Sequence, residues 1–127
     1  MLITEKALVP DSGGAGRFRG GNGQRISFRS LSKDPITMTI RHERVRFPPR
    51  GLLGGMDGAP GIDLLNGEPL AAKSRTVLSQ GDEVTFQTPG GGGLLPASER
   101  KSDQITNDIR SGLVTAVKAE KDYGVAK

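Results

Sequence analysis

His42 is the only histidine in 127 residues, and it stands beside Glu43. A lone imidazole serves as a general base when the fold brings a hydroxyl and an orienting carboxylate to it. Ser12, Ser27 and Ser30 offer hydroxyls, but no spacing singles one out. A metal centre needs several ligands at characteristic separations, and none surrounds His42. The residue is therefore expected to be a surface or structural group at a strand end, with no metal bound. Asp82-Glu83 reads as turn chemistry.

Glycine is the second chemical signal, with 19 residues gathered into separate tracts. A phosphate loop needs Gly-x-x-x-x-Gly-Lys-Ser/Thr, and no Gly-Lys pair occurs. The dinucleotide fingerprint fails at Gly14-Ala15-Gly16, because Arg19 stands where the third Gly belongs. Gly90, Gly91, Gly92 and Gly93 form an unbroken run after Pro89. Such a run is either a flexible link, a place of close backbone approach, or a row of amides able to hold an anion. Arg17-Phe18-Arg19-Gly20-Gly21 has the look of an RNA-binding Arg-Gly-Gly tract, yet it occurs once and aromatic platforms are scarce.

Charge is uneven along the chain. The net charge of +4 divides into an excess of cations in residues 1–50 and a slight excess of acids beyond. The basic half is mostly arginine, which suits carboxylate or phosphate, although solvated strand faces explain such runs equally well. Cysteine is absent, which excludes disulfides, thiolate metal sites and cysteine nucleophiles. No long apolar run suggests a signal peptide or membrane anchor, so a cytoplasmic chain is expected.

The elements that must position these groups are mostly strands. Ile26 and Phe28 alternate with Arg25, Ser27 and Arg29, and Ile36, Met38 and Ile40 alternate with Thr37, Thr39 and Arg41. Val45 and Phe47 suggest a short extended piece that stops at Pro48-Pro49. Ile62–Leu65 reads as a strand closed by Asn66-Gly67. Arg75–Ser79 and Glu83–Thr88 flank Gln80-Gly81-Asp82 as a hairpin would. Beyond Pro96 the period changes: Ser102 is a candidate helix cap, Ile105, Ile109 and Leu113 share a face, Gly112 is a stop, and Thr115 caps a second helix. The expected fold is mainly β, an irregular β-sandwich or barrel-like body over 1–96 with a short C-terminal helical hairpin over 97–127. Its apolar set is thin, so the isolated chain is expected to be weakly stable or to lean on a partner surface. No internal repeat is visible, and the glycine tracts read as separate punctuation.

Four motifs resemble those of the hydantoinase B / 5-oxoprolinase family. They are Val9-Pro10-Asp11-Ser12-Gly13-Gly14-Ala15-Gly16-Arg17-Phe18-Arg19-Gly20-Gly21; Arg41-His42-Glu43-Arg44 through Phe47-Pro48-Pro49-Arg50-Gly51 to Gly55; Thr88-Pro89-Gly90-Gly91-Gly92-Gly93; and Asp108-Ile109-Arg110 through Gly112-Leu113-Val114 to Asp122-Tyr123-Gly124-Val125. They follow family order and spacing and correspond to the C-terminal end of a longer family subunit. Two places depart: Leu94-Leu95-Pro96 replaces an aromatic followed by Gly-Asp-Pro, and Glu99 to Asp103 replaces an acidic helix start.

The resemblance implies a structural, substrate-shaping domain of an ATP-dependent cyclic-amide hydrolase, with carboxylases as relatives and no complete active site of its own. Its partners would be the N-terminal part of the family subunit and an ATP-binding hydantoinase A-like subunit, with ATP held there and not by this chain. Candidate anion or substrate contacts are Arg17, Arg19 and the amides of Gly90, Gly91, Gly92 and Gly93. Asp11, Ser12, Gly13, Gly14, Arg41, Arg44, Pro48 and Pro49 would be structural motif residues. Two other readings stand beside this one: a non-catalytic binding or assembly protein that keeps the fold, and, behind it, a weak nucleic-acid binder using the basic half.

Overall fold

The computed structural model describes residues 1–124; Val125, the last residue of the fourth motif, lies outside the described residues. Seven strands come first: β1 (Leu2–Leu8), β2 (Gln24–Arg29), β3 (Ile36–Arg41), β4 (Ile62–Leu65), β5 (Glu68–Pro69), β6 (Lys73–Leu78) and β7 (Glu83–Gln87). A single 3₁₀ turn (Ala97–Glu99) leads to helices α1 (Ser102–Arg110) and α2 (Ala116–Tyr123). The fold is mainly β, as the alternation in β2 and β3 requires, with helices confined to the end.

The strands form two open sheets. One runs β1-β2-β7-β4-β5, the other is the pair β3-β6, and every pairing is antiparallel. Ile40 of β3 and Phe86 of β7 line one concavity, so the small sheet faces the large one. Leu78, Val84 and Ile40 are buried in the β body. Phe28 and Phe86 add a tilted ring pair with centroids 5.6 Å apart.

Local pattern and tertiary pairing part company at Gln80-Gly81-Asp82. β6 and β7 do not form a hairpin; β6 pairs with β3, while β7 sits between β2 and β4. The turn is a corner between sheets, held by the Ser79 amide donating to Asp82 Oδ2 and by Asn66 Nδ2 donating to Oδ1. Those two bonds hold the exposed Asp82 carboxyl below its usual range, the Asn66 bond contributing more. Val45 and Phe47 lie in bends and not in a strand. Ser102 is the first residue of α1, with Lys101 at the cap position and no side-chain cap bond. Thr115 does cap α2, accepting from the Lys118 amide.

The glycine tracts are not separate punctuation. Segments 12–23, 49–59 and 88–95 run side by side as one bundle joined by main-chain hydrogen bonds. Gly90, Gly91 and Gly93 donate to the carbonyls of Ala59, Gly21 and Met56, while Gly14 and Leu52 donate to Gly91 and Gly93. The 90–93 segment therefore bonds to both other segments, Gly91 with 12–23 and Gly90 and Gly93 with 49–59. None of these four glycines needs a positive φ. What they need is the missing side chain: a Cβ on Gly90 would overlap the carbonyl oxygen of Ser12, and one on Gly93 that of Ala15. The run is thus a packed, ordered core of backbone.

The helical tail has its own small cluster of Ile105, Val114 and Ala119, with Ile109 and Tyr123 packed against it. It is tied to the bundle from both ends of the first motif. Asp11, at φ 64°, accepts from the Thr115 amide and hydroxyl, at 2.7 and 2.8 Å. Asn22 Nδ2 donates to the carbonyl of Leu113 at 2.9 Å.

Candidate functional site

Two places concentrate polar chemistry, and the first is the seam between the bundle and α1. Asp108, the first residue of the fourth motif, accepts from Arg19 Nε at 3.2 Å and from Arg100 Nη2 at 2.7 Å. The three side chains are only 10–13% exposed, so this is a partly buried Arg-Asp-Arg triad. Arg19 Nη1 also donates to the Gly20 carbonyl and to Asn22 Oδ1. Its donors face inward, and it is a clamp, not a group offered to a ligand. Below it Tyr123 has a buried hydroxyl without a hydrogen-bond partner among the described residues. Burial pushes its phenol up from the usual value of 10.0, with Arg100 and the Gly16 amide pulling the other way.

Most of the candidate anion contacts have partners within the chain. Arg19 donates to Asp108, Gly20 and Asn22. The amides of Gly90, Gly91 and Gly93 donate to backbone carbonyls, while Gly92 packs against the Arg50 carbonyl. Arg17 keeps an exposed guanidinium, over the Phe18 ring at 5.4 Å and 3.8 Å from Glu99. Ser12 is buried; its hydroxyl donates to the Val9 carbonyl and accepts from the Gly23 amide. Gly13 and Gly14 pack against the carbonyls of Gly20 and Met56. Pro49 accepts from the Gly58 amide, while Pro48, half-buried beside it, leads the chain into the bundle.

The second place is the end of β3. His42 Nδ1 lies 2.8 Å from Asp63 Oδ1 on β4, and the Asp63 side chain is fully buried. The other oxygen, Oδ2, has no partner among the described residues. Gly61 makes room for the ring, since a Cβ there would stand 2.6 Å from His42 Cε1. Sequence reasoning missed Asp63, which is 21 residues away. The only local signal was Gly61, two positions before it. Around His42 lie Arg41 and Arg44, the latter held at φ 61° with its carbonyl accepting from the Gly61 amide. Lys73 stands opposite Arg41 across the β3–β6 pair, bonded to Glu43 at 3.2 Å. Among the described residues no group of three His, Cys, Asp or Glu is placed to hold a metal.

Comparison with known proteins sets these features in a family. The Hydantoinase B/oxoprolinase family model matches residues 1–94. The chain belongs to this family. It is 34% identical to the caprolactamase subunit beta of Pseudomonas jessenii over 98% of its own length and 23% of that protein. Against a 5-oxoprolinase of Dictyostelium discoideum it is 32% identical over 85% of itself and 8% of the relative. The crystal structure of the ATP-dependent caprolactamase from Pseudomonas jessenii superposes with a TM-score of 0.83 at 28% identity, over 99% of this chain and 23% of that one. The chain thus spans under a quarter of each relative, and the correspondence with caprolactamase takes in the tail as well as the β body.

Proposed function

We propose that the chain is the structural, substrate-shaping domain of an ATP-dependent cyclic-amide hydrolase of the hydantoinase B / 5-oxoprolinase type, and that it is inactive alone. The observation that carries this is its correspondence, over almost its whole length, to under a quarter of the caprolactamase structure. The surface fits a covered domain. All seven residues of β1 are exposed, Leu2, Ile3 and Leu8 among them, and its outer edge is unpaired. At the end of the bundle Phe18, Leu52 and Leu94 are bridged side by side with their side chains exposed. Apolar surface of this kind marks a protein contact. The partners would be the rest of the family subunit and an ATP-binding hydantoinase A-like subunit, with ATP held by the latter, in the cytoplasm. No described helix is long and apolar enough to cross a membrane.

In this assembly the chain's own residues do positioning work. The bundle is a rigid wall, the triad holds the tail against it, and Arg17 is the motif arginine left to meet an anion. The test is affinity capture of the tagged chain from its native lysate, with partners identified by mass. Recovery of a polypeptide matching the rest of the family subunit, and ATP-dependent opening of 5-oxoproline, hydantoin or caprolactam by the recovered complex, is the expected result. Recovery of the chain alone, without activity, would overturn the reading.

A further inference from the structure

Arg19 and the amides of Gly90, Gly91 and Gly93 have partners within the chain, and a different part of the basic half lines open concavities. A concavity of about 410 Å³ at the end of β3 is lined by His42, Glu43, Arg44, Arg46, Phe47 and Lys73. A second, of about 250 Å³, shares His42 and adds Arg41 and Phe86. We propose that His42, fixed by Asp63, and the cations Arg44, Arg46 and Lys73 form a binding site for a small oxyanion, either a carboxylate or a phosphate group.

Four observations carry it. The first is charge: Glu43, the one acid lining the 410 Å³ concavity, is paired with Lys73 at 3.2 Å, and Arg44 and Arg46 line it with no salt bridge among the described residues. Like charges gathered on one short segment repel each other, and an anion between them relieves that repulsion. The second is that the ring is built in and not merely present. Asp63 accepts from Nδ1 and so fixes the tautomer, leaving Nε2 as the free nitrogen. No hydrogen bond to Nε2 is made among the described residues, and it is not one of their buried unpartnered atoms, so it reaches solvent. The third is the Asp63 carboxyl itself, fully buried with Oδ2 unpartnered among the described residues, and with Oδ1 2.8 Å from the ring. A carboxyl so placed holds the imidazole in one orientation beside the concavity it lines. A ring carrying protons on both nitrogens would offer Nε2–H to an anion as a charge-assisted donor. The fourth is backbone strain: Arg44 sits at φ 61°, a conformation that is unfavourable for a non-glycine residue and gathers at ligand contacts.

The groups that face the ring come from three elements: Asp63 from β4, Lys73 from β6, and Glu43 and Arg44 from its own segment. The inference rests on this chain's own residues and stands whether or not the hydrolase reading holds.

Because His42 is the only histidine, its Cε1–H gives one NMR signal in the full chain. Inorganic phosphate and acetate are titrated separately at constant pH and ionic strength. A saturable shift with phosphate assigns a phosphate ligand, with acetate a carboxylate, and with both an oxyanion of either kind. Arg44→Gln and Lys73→Gln are exposed changes that leave the amide spectrum otherwise intact, and each should weaken binding about tenfold. Asp63→Asn should weaken it as well. Shifts that stay linear with both anions, or saturation unchanged in the Arg44→Gln/Lys73→Gln double variant, would overturn the proposal.

Discussion

Arg19 and Asp108 lie 89 positions apart, and they meet in a forked pair: Nε to Oδ2 at 3.2 Å and Nη2 to Oδ1 at 3.4 Å. One partner belongs to the first glycine motif and the other to helix α1. Through this pair the tail and the bundle become one body. Removing Asp108 leaves Arg19 and Arg100 as poorly solvated charges without their carboxylate, which costs about 3–5 kcal/mol, whereas removing Arg19 leaves Asp108 paired with Arg100 at 2.7 Å. Asp108→Ala should lower the unfolding free energy read from urea melts by that amount, and Arg19→Ala should lower it by less. Arg17→Ala, at an exposed site, should leave the midpoint unchanged. A loss of activity in an Arg19 variant of the assembled enzyme would then reflect folding.

The bundle makes a sharper prediction about glycine. Gly90→Ala and Gly93→Ala force a methyl into a carbonyl oxygen, and the backbone on both sides must move. Each should cost at least about 3 kcal/mol or prevent folding, judged by denaturant melts and circular dichroism. Gly21 lies in the same bundle, has nothing within 4 Å of its Cβ position and no positive φ. Gly21→Ala should stay within about 0.5 kcal/mol of the parent.

Gly61→Ala tests the imidazole's berth. The added methyl displaces the His42 ring, the bond to Asp63 breaks, and the buried carboxylate is left without its partner. A loss of about 2–3 kcal/mol is expected, together with a changed His42 Cε1–H signal. Retention of that signal at its parent position would show that the ring is not held by Asp63.

Tyr123 gives a pH dependence whose sign is set by burial. Its phenol is raised above 10.0 in the folded chain, so between the unfolded and folded values the native state holds the proton more tightly. Stability is unaffected below pH 10 and falls as pH rises through that window. Tyr123→Phe should remove this alkaline loss. Since the hydroxyl has no partner among the described residues, the variant should match or exceed the parent at neutral pH by up to about 1 kcal/mol. Melts at neutral and alkaline pH separate the two effects.

The strands legible in the sequence are those whose one face is packed. On β3 Ile36, Met38 and Ile40 alternate with exposed neighbours, Ile40 being buried; on β2 Ile26 and Phe28 are half-buried and Ser27 between them is buried. β1 left no such mark: Leu2 to Leu8 are exposed throughout, and a register shift between Ile3 and Glu5 interrupts the alternation. Gln80-Gly81-Asp82 carries hairpin residues but joins two sheets, because pairing partners are chosen by packing far from the turn. The family and its motifs were legible from order and spacing. The roles within the motifs were not, because they depend on contacts such as Arg19 with Asp108 and His42 with Asp63, which join residues distant in sequence. Glycine tracts in particular look alike whether they are loose, anion-binding or tightly packed; only their hydrogen-bond partners distinguish the cases.

A core made of main chain also changes how the protein should respond to temperature. Heat capacity rises on unfolding when apolar surface meets water and falls when peptide groups do. Segments 12–23, 49–59 and 88–95 bury amides and carbonyls in place of aliphatic side chains. Scanning calorimetry should therefore give a heat-capacity increment below the usual ~12–15 cal/mol/K per residue. The stability curve would be correspondingly flat, with cold unfolding pushed well below freezing.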